Sequence, residues 1–428
     1  MYNYNTKAFE LKREITGFAE KVCDGRKKSE RKLVANMLYG MAESGSCRLT
    51  EIARGLNEDI LLKKTVERLS NGLETFELNE ALDKNYLKCV KKAIRNRAIL
   101  VIDGSDVIKP CSKALEGLAK VQDGDTGKIA DGYWTMEACA LSSSNKLPIP
   151  VYTRLYSAVE NSFVSADEEA LKCFSHLTKN FGKSDIRTMD RGFDNVRYYK
   201  YFLSHNEEFI VRAKSNRNVL FKGEKINILE LANRYKGKYA LRFDGRNKRT
   251  VDCKISMIPV KLPKLCSAEL NLVIIHGFSH KEPILLLTNA SIEDEMLPVV
   301  LTKVYLTRWR IEEFFKFKKQ QFEFEDFRVR SLNKIRALTA ILSMLAGLIA
   351  FLCEKHTENK LVGELIAISK RVKSYDKSKR HHLQFYALAD GIARVLKKTI
   401  VGIKKYLSIK PPPNPQLSFF DKAFRRTA

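Results

Sequence analysis

Four side chains near residue 310 have the types and spacing that phosphate chemistry needs. They are Tyr305, Arg308, Glu312 and Lys319, in the run Tyr305-Leu-Thr-Arg308-Trp309-Arg310-Ile311-Glu312-Glu313-Phe314-Phe315-Lys316-Phe317-Lys318-Lys319. On one helix, at about 100° per residue, the four fall within roughly 60° of each other. That stripe carries a phenol, a guanidinium, a carboxylate and an ammonium. A carboxylate between two cations suits a site where the acid holds a metal ion and the bases hold a phosphate backbone. The same stripe also reads as a solvated face with an i,i+4 ion pair. Trp309, Ile311, Phe314 and Phe315 supply a separate packing face.

Two aspartates qualify as partners for Glu312. Asp103 ends the apolar run Ala98-Ile-Leu-Val-Ile-Asp103, and Asp190 ends Asp185-Ile-Arg-Thr-Met-Asp190. Each run reads as a short buried strand. In an open α/β sheet, ligands bind beyond the carboxyl ends of strands. Carboxylates placed there suit Mg²⁺, whose other ligands are water and phosphate oxygens. An Asp after a strand is equally a turn or capping residue. Asp106 competes with Asp103 as the first ligand, and Asp194 and Glu313 are near neighbours of the other two acids.

The elements that must position these groups follow from hydrophobic patterning. Residues 1–95 read as helices. Leu49–Leu56 and Leu61–Leu73, broken at Asn57–Asp59, have the pattern of a DNA-docking helix-turn-helix or of an ordinary helical hairpin. The basic residues Arg26, Lys27, Lys28, Arg31 and Lys32 lie nearby. From residue 96 to 214 the order is strand, strand, strand, helix, strand, helix, strand, which predicts a mixed α/β sheet. Tyr133–Leu141 and Leu147–Tyr156 form the expected hairpin. Residues 215–298 read as an all-β insertion, with strands at Tyr239–Phe243, Thr250–Leu262, Leu270–Phe278 and Pro283–Thr288. Helices return over 299–345 with the glutamate stripe, and continue over 346–410 as a C-terminal region available for dimerisation. Residues 411–428 form an extended tail, in which Pro411–Pro415 precedes Gln416-Leu417-Ser418-Phe419-Phe420.

Composition narrows the function classes. The 428 residues carry 76 Lys+Arg against 50 Asp+Glu, a net charge of +26 on an ordinary globular composition. That excess points to a polyanionic partner, with nucleic acid ahead of a membrane surface. The first residues carry no apolar run, so no secretory signal is expected. Ala337–Cys353 is short for a membrane span and reads as a buried helix. The nine cysteines show no CxxC or zinc-ligand spacing, which fits reduced thiols in a cytoplasm.

The spacing Tyr-x₂-Arg-x₃-Glu-x₆-Lys is the YREK signature of DDE transposases of insertion-sequence family four. The chain resembles that family at Tyr305, Arg308, Glu312 and Lys319, and in the run Arg308-Trp-Arg-Ile-Glu312. Asp103, in Val-Ile-Asp-Gly-Ser-Asp-Val-Ile-Lys, resembles the family's first acid. Asp190, in Met-Asp-Arg-Gly-Phe-Asp, resembles the second, and Phe209-Ile-Val-Arg-Ala-Lys resembles the strand that follows. The resemblance covers roughly residues 95–345. It implies an RNase H-like mixed sheet core interrupted by the β-rich insertion, with helical N- and C-terminal regions. It implies catalysis by Asp103, Asp190 and Glu312 as ligands of two Mg²⁺ ions (Mn²⁺ able to substitute) about 4 Å apart. It implies phosphate contacts from Tyr305, Arg308 and Lys319. Lys109 and Arg191 are further candidates, each reading equally as a solvated side chain.

The implied reaction nicks each transposon end, passes through a hairpin step on the flank, and joins the ends to target DNA. The implied partners are double-stranded DNA (terminal inverted repeats and target) and a second copy of the chain in a synaptic complex, with no membrane. The implied setting is a bacterial cytoplasm, at the nucleoid. One departure concerns base capture. Some members place a Trp before a Leu-Leu-Leu-Thr strand and stack a flipped base on it, whereas here Ile284 precedes Leu285-Leu-Leu-Thr288. Finally, Gln416, Leu417, Phe419 and Phe420 resemble the Gln-Leu-x-Leu-Phe peptide that docks on the bacterial sliding clamp. Two other classes compete: a non-catalytic DNA-binding derivative and a different metal nuclease on the same core. The intact acids argue against the first and the YREK stripe against the second.

Overall fold

The computed structural model describes residues 4–244, 250–265, 268–278, 282–291, 295–355, 360–369, 371, 384–399, 402–403 and 418–420. Five helices come first: α1 (Tyr4–Val22), α2 (Lys28–Ser44), α3 (Leu49–Leu56), α4 (Leu62–Glu74) and α5 (Glu80–Val90). The predicted break after Leu56 is an Asn57 in the left-handed region (φ 43°), a conformation that Asn tolerates better than most residues.

The first part of the core is β1 (Ile99–Ile108), β2 (Ala119–Gln122), β3 (Ile129–Leu141), β4 (Pro148–Tyr156), α6 (Ala166–Asn180), β5 (Ile186–Met189), α7 (Val196–Ser204) and β6 (Phe209–Arg212). β4, β3 and β1 are antiparallel neighbours, while β1, β5 and β6 run parallel with α6 and α7 as connections. This is the mixed arrangement expected of an RNase H-like core. The short strand β2, which sequence patterning missed, pairs with the start of β3 beside the stretch that pairs with β4.

The insertion contributes β7 (Asn218–Phe221), β8 (Glu224–Asn227), α8 (Ile228–Asn233), β9 (Tyr239–Asp244), β10 (Thr250–Lys261), β11 (Glu269–His276) and β12 (Ile284–Thr288). It is strand-rich as expected but carries one short helix, α8. It also continues the core sheet: β12 pairs antiparallel with β6, giving a 12-stranded sheet in the order β2-β3-β1-β5-β6-β12-β11-β10-β7-β8, with β4 on β3 and β9 on β10. Alternation along β12 serves both faces. Leu285 and Leu287 join the main core, while Ile284 and Leu286 join a second cluster with Val299, Leu301 and Tyr305.

The remaining helices are α9 (Leu297–Leu306), α10 (Arg310–Gln321), α11 (Leu332–Glu354), α12 (Lys360–Ile368) and α13 (Gln384–Lys397). α11 contains the apolar run Ala337–Cys353 and is buried along nearly its whole length, so it is a core helix. It packs on β4 and also against α2, α4, α5 and α13. The two terminal helical regions therefore form one layer around α11, and that helix runs without a break across residue 345.

Candidate active site

Asp103 and Asp190 come together through strand pairing. The parallel ladder of β1 and β5 ends at Ile102↔Met189, so the two aspartates are the next residues on adjacent strands. Asp190 follows β5 directly, as expected. Asp103 does not end its strand: β1 runs on to Ile108, because the long β3 supplies an antiparallel partner as far as Ile108↔Gly132. Asp190 Oδ1 accepts a hydrogen bond from Gly192 N (2.7 Å), so this residue caps a turn and offers its carboxylate to the site at once.

The glutamate segment departs from the single-helix expectation. α9 stops at Leu306 and α10 starts at Arg310, with Arg308 in the connecting turn. Arg308 N bonds to Tyr305 O, Ile311 N to Arg308 O and Glu312 N to Trp309 O, which are tight i→i−3 turns. The Thr307 hydroxyl also donates to Val304 O (2.6 Å). The break has a packing cause. α9 packs on the insertion and β5, whereas α10 packs on β1 and β4, so the turn falls where the packing partners change.

The turn delivers Arg308 between the carboxylates. Its Nη1 lies 3.2 Å from Asp103 Oδ2 and its Nη2 2.6 Å from Glu312 Oε1. Burial pushes the Asp103 carboxyl up to about 7, helped by the neighbouring Asp190 charge and opposed by Arg308. Burial works against the Arg308 charge, yet Asp103 and Glu312 outweigh it and raise the guanidinium. Tyr305 is buried at the end of α9, and burial raises its phenol. Asp103, Asp190, Glu312, Arg308 and Tyr305 thus form one electrostatically coupled group. Among the described residues no three metal-ligating side chains already surround a common point. Asp103 and Glu312 nevertheless flank one guanidinium and Asp190 follows the strand beside Asp103, and carboxylates are the donor chemistry a divalent ion requires.

Lys319 is brought to the same face but faces acids. Its Nζ lies 3.0 Å from Asp106 Oδ2 and 3.1 Å from Glu325 Oε1. Asp106, the competing first ligand, is therefore a partner of Lys319. Asp194 is buried and accepts from Tyr199 Oη (2.5 Å), Lys214 N (2.8 Å) and Arg217 Nε, which makes it a structural acid. Glu313 pairs with Arg310 (2.6 Å). Lys109 is not a phosphate contact. It is buried, donates to Glu325 O (2.6 Å) and Phe327 O (2.7 Å), and lies over the Phe327 ring, because β1 carries it beneath the 324–327 segment. Arg191 is exposed beside Asp190.

Two groups escaped the sequence reading: Glu137 on β3 and Lys318 on α10, which form a buried ion pair. Their signal was one charged residue in each of two apolar surfaces. In the tail, Gln416 and Leu417 lie outside the described residues. Ser418, Phe419 and Phe420 are buried, with both rings against Phe351 of α11 and Phe420 also against Phe18 of α1.

The family model described as Transposase DDE domain matches residues 96–348, which include all three acids. Comparison with curated proteins gives no match. Among solved structures, the chain is similar to a cryo-EM structure of a piggyBac transposase synaptic complex with hairpin DNA. The identity is 11% and the TM-score 0.45, over 100% of this chain and 84% of that chain. With the family model spanning more than half of its length, from β1 through most of α11, the chain belongs to the family of transposases with a DDE domain, enzymes that cleave and transfer DNA.

Proposed function

We propose that this transposase cuts the ends of its own element and joins them to target DNA with Asp103, Asp190 and Glu312 as the ligands of two divalent ions, Mg²⁺ in the cell. The observation that carries this reading is that Asp103 and Glu312 flank Arg308 while Asp190 follows the strand paired beside Asp103, inside the segment matched by the family model. When bound, such ions activate the attacking oxygen and stabilise the leaving one in an in-line displacement at phosphorus.

The chain's own residues do the rest. Asp103 and Asp190 present oxygens from adjacent strands, and Glu312 presents one from the first turn of α10. Arg308, which sits among the acids, turns its guanidinium to the phosphate beside the cut. Lys319, Tyr305 and the exposed Arg191 extend the phosphate contacts. The α3–α4 pair, with the exposed Lys27, Lys28, Arg31 and Lys32 near it, supplies the DNA-binding region. The finer assignment rests on the YREK spacing: insertion-sequence family four, action as a homodimer holding two inverted-repeat ends, and a bacterial cytoplasm as the setting. A contact between the tail motif and a sliding clamp belongs to the same proposal and requires release of Phe419 and Phe420 from their buried site.

A strand-transfer assay with and without Mg²⁺ tests the reading. Asp103→Ala, Asp190→Ala and Glu312→Ala should each abolish cleavage and transfer while keeping most of the affinity for transposon ends. Asp106→Ala should retain cleavage. A dead Asp106→Ala beside an active Asp103→Ala would reassign the first ligand, and transfer at full rate in EDTA would remove the metal chemistry altogether.

A further inference from the structure

α10 buries Ile311, Phe314, Phe317 and Lys318, so its packing face contains one charge. Lys318 Nζ pairs with Glu137 on β3, where both side chains are nearly inaccessible (3% and 0% exposed). Phe314 and Phe324 lie close to the ammonium, 4.5 and 5.3 Å from it to their ring centroids. The Thr153 hydroxyl on β4 stands 3.4 Å from Glu137 Oε2 and 3.1 Å from Ser343 Oγ on α11.

Burying two charges is an inefficient way to hold a helix on a sheet, since apolar residues of similar size serve stability at least as well. What an ion pair adds is a defined distance and direction. Here its position matters, because Glu137 is the cross-strand partner of Asp103 in the β1–β3 register. The link from one acid to the other is therefore short. Asp103 stands across one rung from Glu137, Glu137 grips Lys318, and Lys318 is on the same 12-residue helix as Glu312. Apolar contacts from Ile311, Phe314 and Phe317 are non-directional and set no single distance between α10 and the sheet. The buried pair sets one at the rung that carries Asp103.

We propose that Lys318 and Glu137 are positioning residues, which fix Glu312 relative to Asp103 so that the carboxylates present one ion-binding site. The proposal rests on the reading of Asp103, Asp190 and Glu312 as metal ligands. Neither residue touches DNA or metal in this assignment, and their effect passes through α10.

The test is a Mn²⁺ titration of the full-length protein by electron paramagnetic resonance, without DNA, alongside thermal melting. The double variant Glu137→Leu/Lys318→Met replaces the pair with apolar groups of similar length and should stay folded. It should bind Mn²⁺ at least tenfold more weakly than wild type, and transposon-end binding should be unchanged. Glu137→Asp, which keeps the charge but shortens its reach, is the second variant should the double variant fail to fold, and the same loss is expected of it. Wild-type Mn²⁺ affinity in either folded variant overturns the proposal. Glu312→Ala is the control. If it binds Mn²⁺ as wild type does, the ligand assignment fails, a result distinct from an intact ligand set that ignores the loss of the buried pair.

Discussion

At the scale of single residues, Arg308 and Lys319 are held by acids of their own chain before any phosphate arrives. Burial works against the charge of Lys319, but Glu325 and Asp106 more than offset it and keep the ammonium protonated. A phosphate that recruits either cation must therefore compete with carboxylates, and the freed acids become available to metal or solvent. Arg308→Ala and Lys319→Ala should each weaken binding of the cleaved end. Each should also shallow the slope of log affinity against log salt by about one unit, since each removes one phosphate contact. Slopes measured by fluorescence anisotropy between low and moderate salt check this. Unchanged slopes in both variants would leave the two cations as partners of Asp103, Glu312, Asp106 and Glu325 and nothing more. Asp106 illustrates how a neighbouring acid is assigned: its sequence context resembles that of Asp103, but only its side chain sits against Lys319.

At the scale of elements, two helices carry charges whose cost and benefit can be measured. α1 buries Lys12, and desolvation lowers its ammonium to about 8. A lysine depressed in the folded state contributes stability above its unfolded value near 10.5, and that contribution is lost as pH falls through about 8. At pH 7 the buried charge is therefore a net cost, and Lys12→Met should stabilise the protein by about 2 kcal/mol. The advantage of the variant should shrink as pH rises from 8 to 10. Denaturant melts of both proteins across that range provide the test; a difference independent of pH would contradict it. α11 ends in the opposite situation. Glu354 is buried and accepts hydrogen bonds from Ser142 Oγ (2.7 Å), Asn145 N (3.1 Å), Asn145 Nδ2 (3.2 Å) and Ser144 N. The carboxylate thereby fastens the β3–β4 turn to the core helix. Glu354→Ala leaves those donors without a partner and should cost about 3 kcal/mol, read as a lower urea midpoint with an unchanged slope.

At the scale of the whole molecule, segments distant in the chain meet. Phe420 packs on Phe18 of α1, and both lie on the helical layer around α11. Gly17 permits this approach, since a β-carbon there would come within 3.1 Å of Phe420 Cβ. Phe420→Ala should lower stability by about 3 kcal/mol, as for other buried aromatic truncations. The same burial bears on the tail motif. A free peptide spanning residues 414–422 should bind a bacterial sliding clamp at micromolar concentration. The intact protein should bind about a hundredfold more weakly, because the same ring must first leave its site. Titration of both against the purified clamp decides this, and no binding by the peptide at high micromolar concentration would sink the clamp assignment.

What the sequence alone determined was local. Strand and helix patterning recovered the helical N-terminal region, the mixed core with its hairpin and crossovers, and most strands of the insertion, because period and turn residues are written in short windows. The spacing of Tyr305, Arg308 and Glu312 and the apolar runs before Asp103 and Asp190 marked residues that the fold brings near one another, whereas Lys319 pairs with Asp106 and Glu325. Tertiary structure alone decided three things. It broke the α9–α10 segment at Thr307–Trp309, where the packing partners change from the insertion and β5 to β1 and β4. It joined the insertion to the core sheet through β12 and β6, a pairing between segments distant in the chain. And it buried Glu137 with Lys318, Lys109 under Phe327, and Asp194 with Arg217. A charge in a sequence carries no mark of its partner. Only the folded chain shows whether its desolvation is offset by an ion pair, by backbone carbonyls or by a ring, and that choice separates the acids that serve the fold from those left facing the site.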